Sequence, residues 1–279
     1  MIDPVSSPPL ACPVRDCHLP LDRNAAEWRC AHGHGFDVAR SGYVNLLQPQ
    51  DRRSREAGDP RTALSARSRL LAAGIGRTVL EAFVARAEEL LPQTGGTVVD
   101  LGSGSGDALG LLRAHRDTTA IGIDLAAAAV DAAARRFPSV TWVVANADRR
   151  LPLLEASVSL MVSLHARRNP EECRRVLEPG GRLLVAVPAP DDLIELREAV
   201  QGARVERDRV AAVIAEHEPS FDVVDRSTAR EGHHVSGETL RDLLRGTYRG
   251  ERTSAAERVQ AMTTLDVTLA SDFLVLRRR

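Results

Sequence analysis

The chain has 279 residues, of which 43% are hydrophobic and 27% charged, with a formal net charge of −1. That length accommodates one full α/β domain with small appendages, around a core that needs no disulfide staples. No uninterrupted apolar run approaches the roughly 20 residues of a membrane helix, and a charge near zero gives no global signature of nucleic-acid binding, so any RNA contact must come from a local patch.

The opening Met1-Ile2-Asp3-Pro4 has neither the basic nor the apolar region of a secretory signal, which predicts a cytoplasmic protein. All 37 basic side chains are arginine. With so much alanine and glycine beside them, a GC-rich genome accounts for that bias.

Taken in chain order, the first feature is Cys12-x4-Cys17-x12-Cys30-x3-His34. Two ligand pairs joined by a hairpin-length spacer have the spacing of a tetrahedral zinc site, and four protein ligands would make it structural. In so small a segment the metal would supply folding energy that the core cannot. His18 and His32 are competing ligands, and the alternative is three reduced cysteines beside a surface histidine. Cys173, far downstream, is expected to be a core thiol. A polar stretch punctuated by Pro49, Gly58 and Pro60 reads as a linker over Gln48–Pro60.

Apolar residues at helical spacing predict an amphipathic helix over Arg77–Leu91, closing at Pro92. A regular alternation follows. Strands are predicted at Thr97–Leu101, Ala120–Asp124, Val140–Ala145, Val158–Leu164 and Arg182–Val187, with helices at Asp107–His115, Ala126–Phe137 and Pro170–Leu177. Such alternation implies a doubly wound parallel sheet. The tail reads as helices at Asp191–Val200 and Glu206–Glu216, a strand at Phe221–Ser227, a helix at Gly237–Arg245 and a last strand pair or long strand over Leu265–Leu276.

The most informative segment is Val98-Val99-Asp100-Leu101-Gly102-Ser103-Gly104-Ser105-Gly106. Glycines between a strand and a helix let the backbone turn sharply and approach a ligand beside the positive helix end. Asp124 ends the next strand 20 residues beyond Gly104, where an acid can hold two ribose hydroxyls. A nicotinamide site would read G-x-G-x-x-G. The D-x-G-x-G-x-G found here resembles motif I of class I S-adenosylmethionine methyltransferases. That resemblance implies a cofactor site of Asp100, Gly102, Gly104, Ser105, Gly106, Asp124, Leu125 and Asp148, the last acid meeting adenine.

Directly after the last metal-ligand candidate runs His34-Gly-Phe-Asp-Val-Ala-Arg-Ser-Gly-Tyr43-Val-Asn-Leu-Leu47. With the cysteines before it and the basic Arg52-Arg53-Ser54-Arg55 after it, this segment resembles the bacterial 23S ribosomal RNA guanine-N1 methyltransferases, the RlmA-like family that includes macrolide-resistance enzymes. The similarity covers essentially the whole chain. It implies zinc held by Cys12, Cys17, Cys30 and His34, and S-adenosylmethionine as cofactor. It also implies a Rossmann-like class I methyltransferase domain over 77–279, behind a zinc-binding module (1–47) and a basic linker and helix (48–76).

The implied substrate is a guanine in a 23S RNA hairpin loop, with no membrane partner and a homodimer left open. Phosphate contacts would come from the zinc module and from arginines between Arg52 and Arg69, and stacking from Trp28 or Tyr43; Tyr43 could equally be a packing residue at the domain join. The loop His165-Ala166-Arg167-Arg168-Asn169-Pro170 lies at the carboxyl end of the fourth strand, where ligands of such folds bind. His165 and Asn169 are therefore candidates for contact with the base, and Asp192 for accepting its proton.

The chain departs from the family pattern at Gly76, where an aromatic residue is usual, at Arg167, which follows Ala166 in place of proline, and at Asp192, in place of histidine. Two other readings stay open: a small-molecule methyltransferase with a vestigial zinc module, and a non-catalytic RNA-binding protein.

Overall fold

A computed structural model describes residues 7–49, 60–93, 95–202, 206, 208–246 and 263–279. Three short strands, β1 (Asp22–Arg23), β2 (Glu27–Arg29) and β3 (Gly35–Asp37), form an antiparallel ribbon in the order β1-β2-β3. The chain then enters β4 (Val44–Asn45), α1 (Arg61–Ala72), α2 (Arg77–Leu90), β5 (Thr97–Leu101), α3 (Asp107–His115), β6 (Thr119–Asp124), α4 (Ala127–Arg136) and β7 (Thr141–Val144). The second half runs β8 (Val158–Leu164), α5 (Pro170–Val176), β9 (Leu177–Pro188), α6 (Ile194–Gln201), α7 (Val210–His217), β10 (Phe221–Ser236), α8 (Gly237–Gly246) and β11 (Thr264–Arg278).

The main sheet has eight strands in the order β10-β11-β9-β8-β5-β6-β7-β4. Strands β9, β8, β5, β6, β7 and β4 are parallel, and β11 lies antiparallel between β9 and β10. The order reverses at β5, and the glycine loop leaves β5 at that switch point, where a crevice opens beyond the strand ends.

Alternate residues of β5 divide the core into two faces, as the two-residue period of a strand requires. Val98 packs with Leu80, Phe83, Leu109, Leu112 and Val130 of α2, α3 and α4. Val99 and Leu101 point the other way, into a cluster that holds Cys173 and Val176 of α5 together with Leu10, Trp28 and Leu46 of the N-terminal segment. The connection from β7 to β8 contains no helix. The ribbon module covers that part of the sheet in place of a crossover helix, through Leu10 and Trp28 against Val143, Leu151 and Leu153. Strand β4 was not expected; it is two residues long and pairs with β7 through Val44 and Asn45. Backbone bonds from Ala11 N–H to Pro152 O (2.9 Å) and from Leu154 N–H to Pro9 O (3.0 Å) complete the join.

Most predicted strands and helices of the central alternation appear within one or two residues of their expected bounds. In that alternation β9 is the exception, beginning at Leu177; in the tail α6 and α7 start later than expected, at Ile194 and Val210, and β10 continues to Ser236. Beyond the pairing of Ser271 with Pro188, β10 and β11 run on past the end of β9. This extension packs Val235 and Val267 with Leu70 and Ile75, Leu196 of α6, and Leu240 and Leu243 of α8, building a wall on the side of the sheet where the strands end.

Candidate active site and metal centre

In the ribbon module the backbone turns twice around side chains that converge. Cys17 N–H donates to Val14 O and Gly33 N–H to Cys30 O, and Gly33 supplies the left-handed φ of 83° that the second turn needs. One ligand atom from each of Cys12, Cys17, Cys30 and His34 lies within 4.8 Å of all the others. The Sγ atoms of Cys17 and Cys30 are 3.8 Å apart, and His34 Nδ1 is 3.4 Å from the Sγ atoms of both Cys12 and Cys30.

Tetrahedral zinc with bonds of about 2.3 Å to sulfur and 2.0 Å to nitrogen has edges of about 3.8 and 3.6 Å, so the donor set fits zinc. His32 approaches Cys17 alone, at 3.5 Å, and stays outside the four. Cys173 is fully buried, and burial pushes its thiol up to about 12.

The second centre lies at the ends of β5, β6 and β7. Gly102, Gly104 and Gly106 adopt φ of 71°, 53° and 81°, conformations that L-residues with side chains seldom adopt. Their surroundings differ. A Cβ on Gly106 would strike Trp142 at 2.4 Å and one on Gly102 would strike Ala166 at 2.2 Å, whereas one on Gly104 would meet nothing within 4 Å. The loop is thus packed from below at its two ends and open above its middle.

Asp124 anchors it, with Oδ2 accepting from Gly104 N–H and Oδ1 from Ala126 N–H, both at 2.8 Å. A carboxylate has about four acceptor positions, more than these two backbone bonds occupy. Leu125 lies between Asp124 and Ala126 at this turn. Ser105 Oγ donates to Asp107 Oδ2 at the start of α3. Asp148 is exposed beyond β7, 3.6 Å from Arg167 Nη1.

Asp100 sits beneath the loop, 2% exposed, and its Oδ1 makes no hydrogen bond among the described residues; Ser103 Oγ is likewise buried without one. Burial, and secondarily the negative Asp124, raise the Asp100 carboxyl to about 7 from its ordinary 3.8. Two buried polar atoms without protein partners under an open glycine loop fit a ligand that carries its own donors.

The raised value has a consequence for stability. Between pH 4 and 7 an unfolded chain releases this proton while the folded chain keeps it, so stability falls as pH rises through that window. Asp100→Asn is expected to flatten the profile, by at most roughly 1.4 kcal/mol per pH unit. Urea unfolding of both proteins at intervals from pH 5.5 to 8 measures it, and parallel profiles would contradict it.

The loop after β8 carries His165 in a left-handed conformation (φ 56°), with Nε2 2.8 Å from Ser271 Oγ, and desolvation lowers its imidazole to about 4. Asp192, after β9, accepts from Ala270 N–H at 3.0 Å, and burial raises its carboxyl to about 6. His165 and Asp192 therefore flank adjacent residues of β11. Asn169 has another position. Its Oδ1 accepts from Glu171 and Glu172 N–H and caps α5, with Pro170 next in the first helical turn, so its acceptor is engaged at the helix start.

Trp28 is 1% exposed in the core and offers no stacking face. Tyr43 is partly buried at the join, packed beside the α2–α4 cluster. Arg69 is held in a two-pronged pair with Asp242, both contacts 2.7 Å, and Arg67 Nε donates to Gly246 O. Arg52, Arg53 and Arg55 lie outside the described residues.

Gly76, the departure from an aromatic pattern, has φ 86° at the start of α2. Beside it Glu231 accepts from Thr78 N–H through Oε2, while its buried Oε1 makes no hydrogen bond among the described residues. No motif in the sequence marks Glu231, which lies in the polar half of β10. Between the first cysteine turn and the end of β7 is a groove of about 200 Å³ whose lining includes Arg15, His18, Asn146 and Arg150.

An open, acid-anchored glycine loop at the switch point of this sheet order defines a class I S-adenosylmethionine-dependent methyltransferase. Residues 98–181 match the family model described as a methyltransferase domain, and residues 10–55 match the zinc-ribbon model described as RlmA, N-terminal. The 23S rRNA (guanine(748)-N(1))-methyltransferase of Streptomyces fradiae is 33% identical over 275 residues, 96% of each chain. A Micromonospora griseorubida protein provisionally assigned the same class of activity is 34% identical over 241 residues, 80% of each chain. The chain belongs to the family of 23S rRNA (guanine-N1)-methyltransferases. The fold alone is shared with the YcgJ protein of Bacillus subtilis, at a TM-score of 0.50 and 14% identity over 71% of this chain and 98% of that one.

Proposed function

We propose that this chain methylates N1 of a guanine in a 23S RNA hairpin loop. The observation that carries the reading is the join of a zinc-type Cys3His module to a methyltransferase sheet, with an arginine-lined groove between them. Arg15 and Arg150 supply positive charge on the two sides of that groove, suited to phosphates that fix the orientation of an RNA. The target base must be unstacked to reach the strand ends.

S-adenosylmethionine, when bound, supplies an electrophilic methyl group. The residues of the chain do the positioning, which is a large part of the barrier in such transfers. Asp100, Gly102, Gly104, Ser105 and Gly106 frame its methionine part, Asp124 and Leu125 its ribose and Asp148 its adenine. His165 and Asp192 converge on β11 where a base entering over β8 would lie. Guanine N1 carries a proton that must leave. Asp192, held at about 6, is ionised at neutral pH yet basic enough to receive it, and His165 is oriented by Ser271 to contact the base.

Transfer of labelled methyl groups to a synthetic 23S hairpin tests the assignment. Incorporation is expected with the natural loop and is lost when its guanine is replaced by adenine. Labelling of metabolites with no labelling of RNA would support the small-molecule alternative instead.

A further inference from the structure

We propose that Arg167 is a cofactor-retaining residue: its side chain straps the adenosine end of the groove and is latched to Asp148. The inference rests on the cofactor placement given above. It starts from an arrangement that the strand order alone does not suggest. Arg167 follows β8 and Asp148 follows β7, and in the order β8-β5-β6-β7 these strands are three places apart. At about 4.8 Å per neighbour their ends are about 14 Å apart, yet Arg167 Nη1 is 3.6 Å from Asp148 Oδ2.

The loop after β8 closes that distance. The left-handed φ of His165 turns the chain toward β5, and Ala166 packs so closely on Gly102 that no Cβ could be added there. Arg168 Nη1 and Ser163 Oγ both donate to Ala166 O, at 3.0 and 3.3 Å, and fix the turn. With Ala166 against Gly102 just beyond β5 and its own Nη1 beside Asp148 beyond β7, the Arg167 side chain bridges the gap in which β6 ends at Asp124.

The chemistry of this crossing suits an adenosine below it. A planar guanidinium stacks on an aromatic face as an ammonium does not. Asp148 turns Oδ2 to the arginine, and its other oxygen can accept from an exocyclic amine. Arg167 and Asp148 are 67% and 37% exposed, so the pair adds little to folding stability and can be removed without disturbing the core.

The test measures release of S-adenosylhomocysteine and of 5′-methylthioadenosine, which retains the adenosine end, from the full-length protein by stopped flow. Arg167→Ala and Asp148→Asn are each expected to speed release of both ligands about three- to tenfold. The double variant should be no faster than the faster single one, because both remove the same latch. Arg167→Lys should recover less than half of the effect, since it restores charge without a stacking plane. Asp124→Ala serves as the control for cofactor placement. Release unchanged or slowed in Arg167→Ala, with binding still weakened in Asp124→Ala, would overturn the strap and leave the placement standing. No effect in any of them would remove the placement and the strap together.

Discussion

Chelating zinc from this protein, or replacing Cys30 with Ser, is expected to unfold the central sheet as well as the small module that holds the metal. Trp28 and Leu10 lie in one hydrophobic cluster with Val143, Leu151 and Leu153, where the β7–β8 connection provides no helix. Loss of the metal releases the two turns that hold Cys12 and Cys30, and with them the cover over that face of the sheet. Structural zinc contributes on the order of 10 kcal/mol to small modules, comparable to the whole stability of a domain.

The two tryptophans of the chain are Trp28 in the ribbon and Trp142 in β7, both buried, so each reports one side of the join. Urea unfolding followed by fluorescence in Trp28→Phe and in Trp142→Phe should give coincident transitions with zinc bound. Both transitions should move to much lower urea after chelation. A Trp142 transition unmoved by chelation would mean that the sheet does not need the module.

Asp124→Ala is expected to weaken S-adenosylmethionine binding about 10- to 150-fold, which corresponds to about 1.5–3 kcal/mol for hydrogen bonds to a charged group. The carboxylate has two tasks. It accepts from Gly104 and Ala126 N–H and so holds the glycine loop in shape, and in the proposed placement it would also meet the ribose. Asp124→Asn retains one acceptor oxygen and should fall between the wild type and alanine. Calorimetric titration separates the three, with thermal unfolding as the check that the core persists. Equal affinities would move the cofactor away from the end of β6.

Much of this arrangement was legible in the sequence because its causes are local. The ends of β5 and of α3 match their predicted bounds, since an apolar run meets glycines and the following helix starts where they stop. The cysteine and histidine spacing anticipated the cluster for the same reason. What escaped depends on tertiary placement.

The second half of β10 runs past β9, where every residue but Val235 stays at least partly exposed, so no apolar alternation marks it. Strand β4 is too short to show a period and exists only because β7 presents an open edge. The sequence does not show that Asn169, a candidate for contact with the base, also caps α5, a role that follows from its place immediately before Pro170. Gly76 reads as the loss of an aromatic residue, whereas the chain there needs a left-handed start to α2. The pair of Arg167 with Asp148 joins loops that the sheet order separates, and no spacing rule connects them.

Methylation of the RNA is tested by mass-spectrometric mapping of 23S RNA after incubation with the purified, zinc-loaded protein and S-adenosylmethionine. A single new N1-methylguanosine in a hairpin loop is expected, absent when Asp124→Ala replaces the wild type. Unmodified RNA, in the presence of measured cofactor binding and an intact fold, would contradict it.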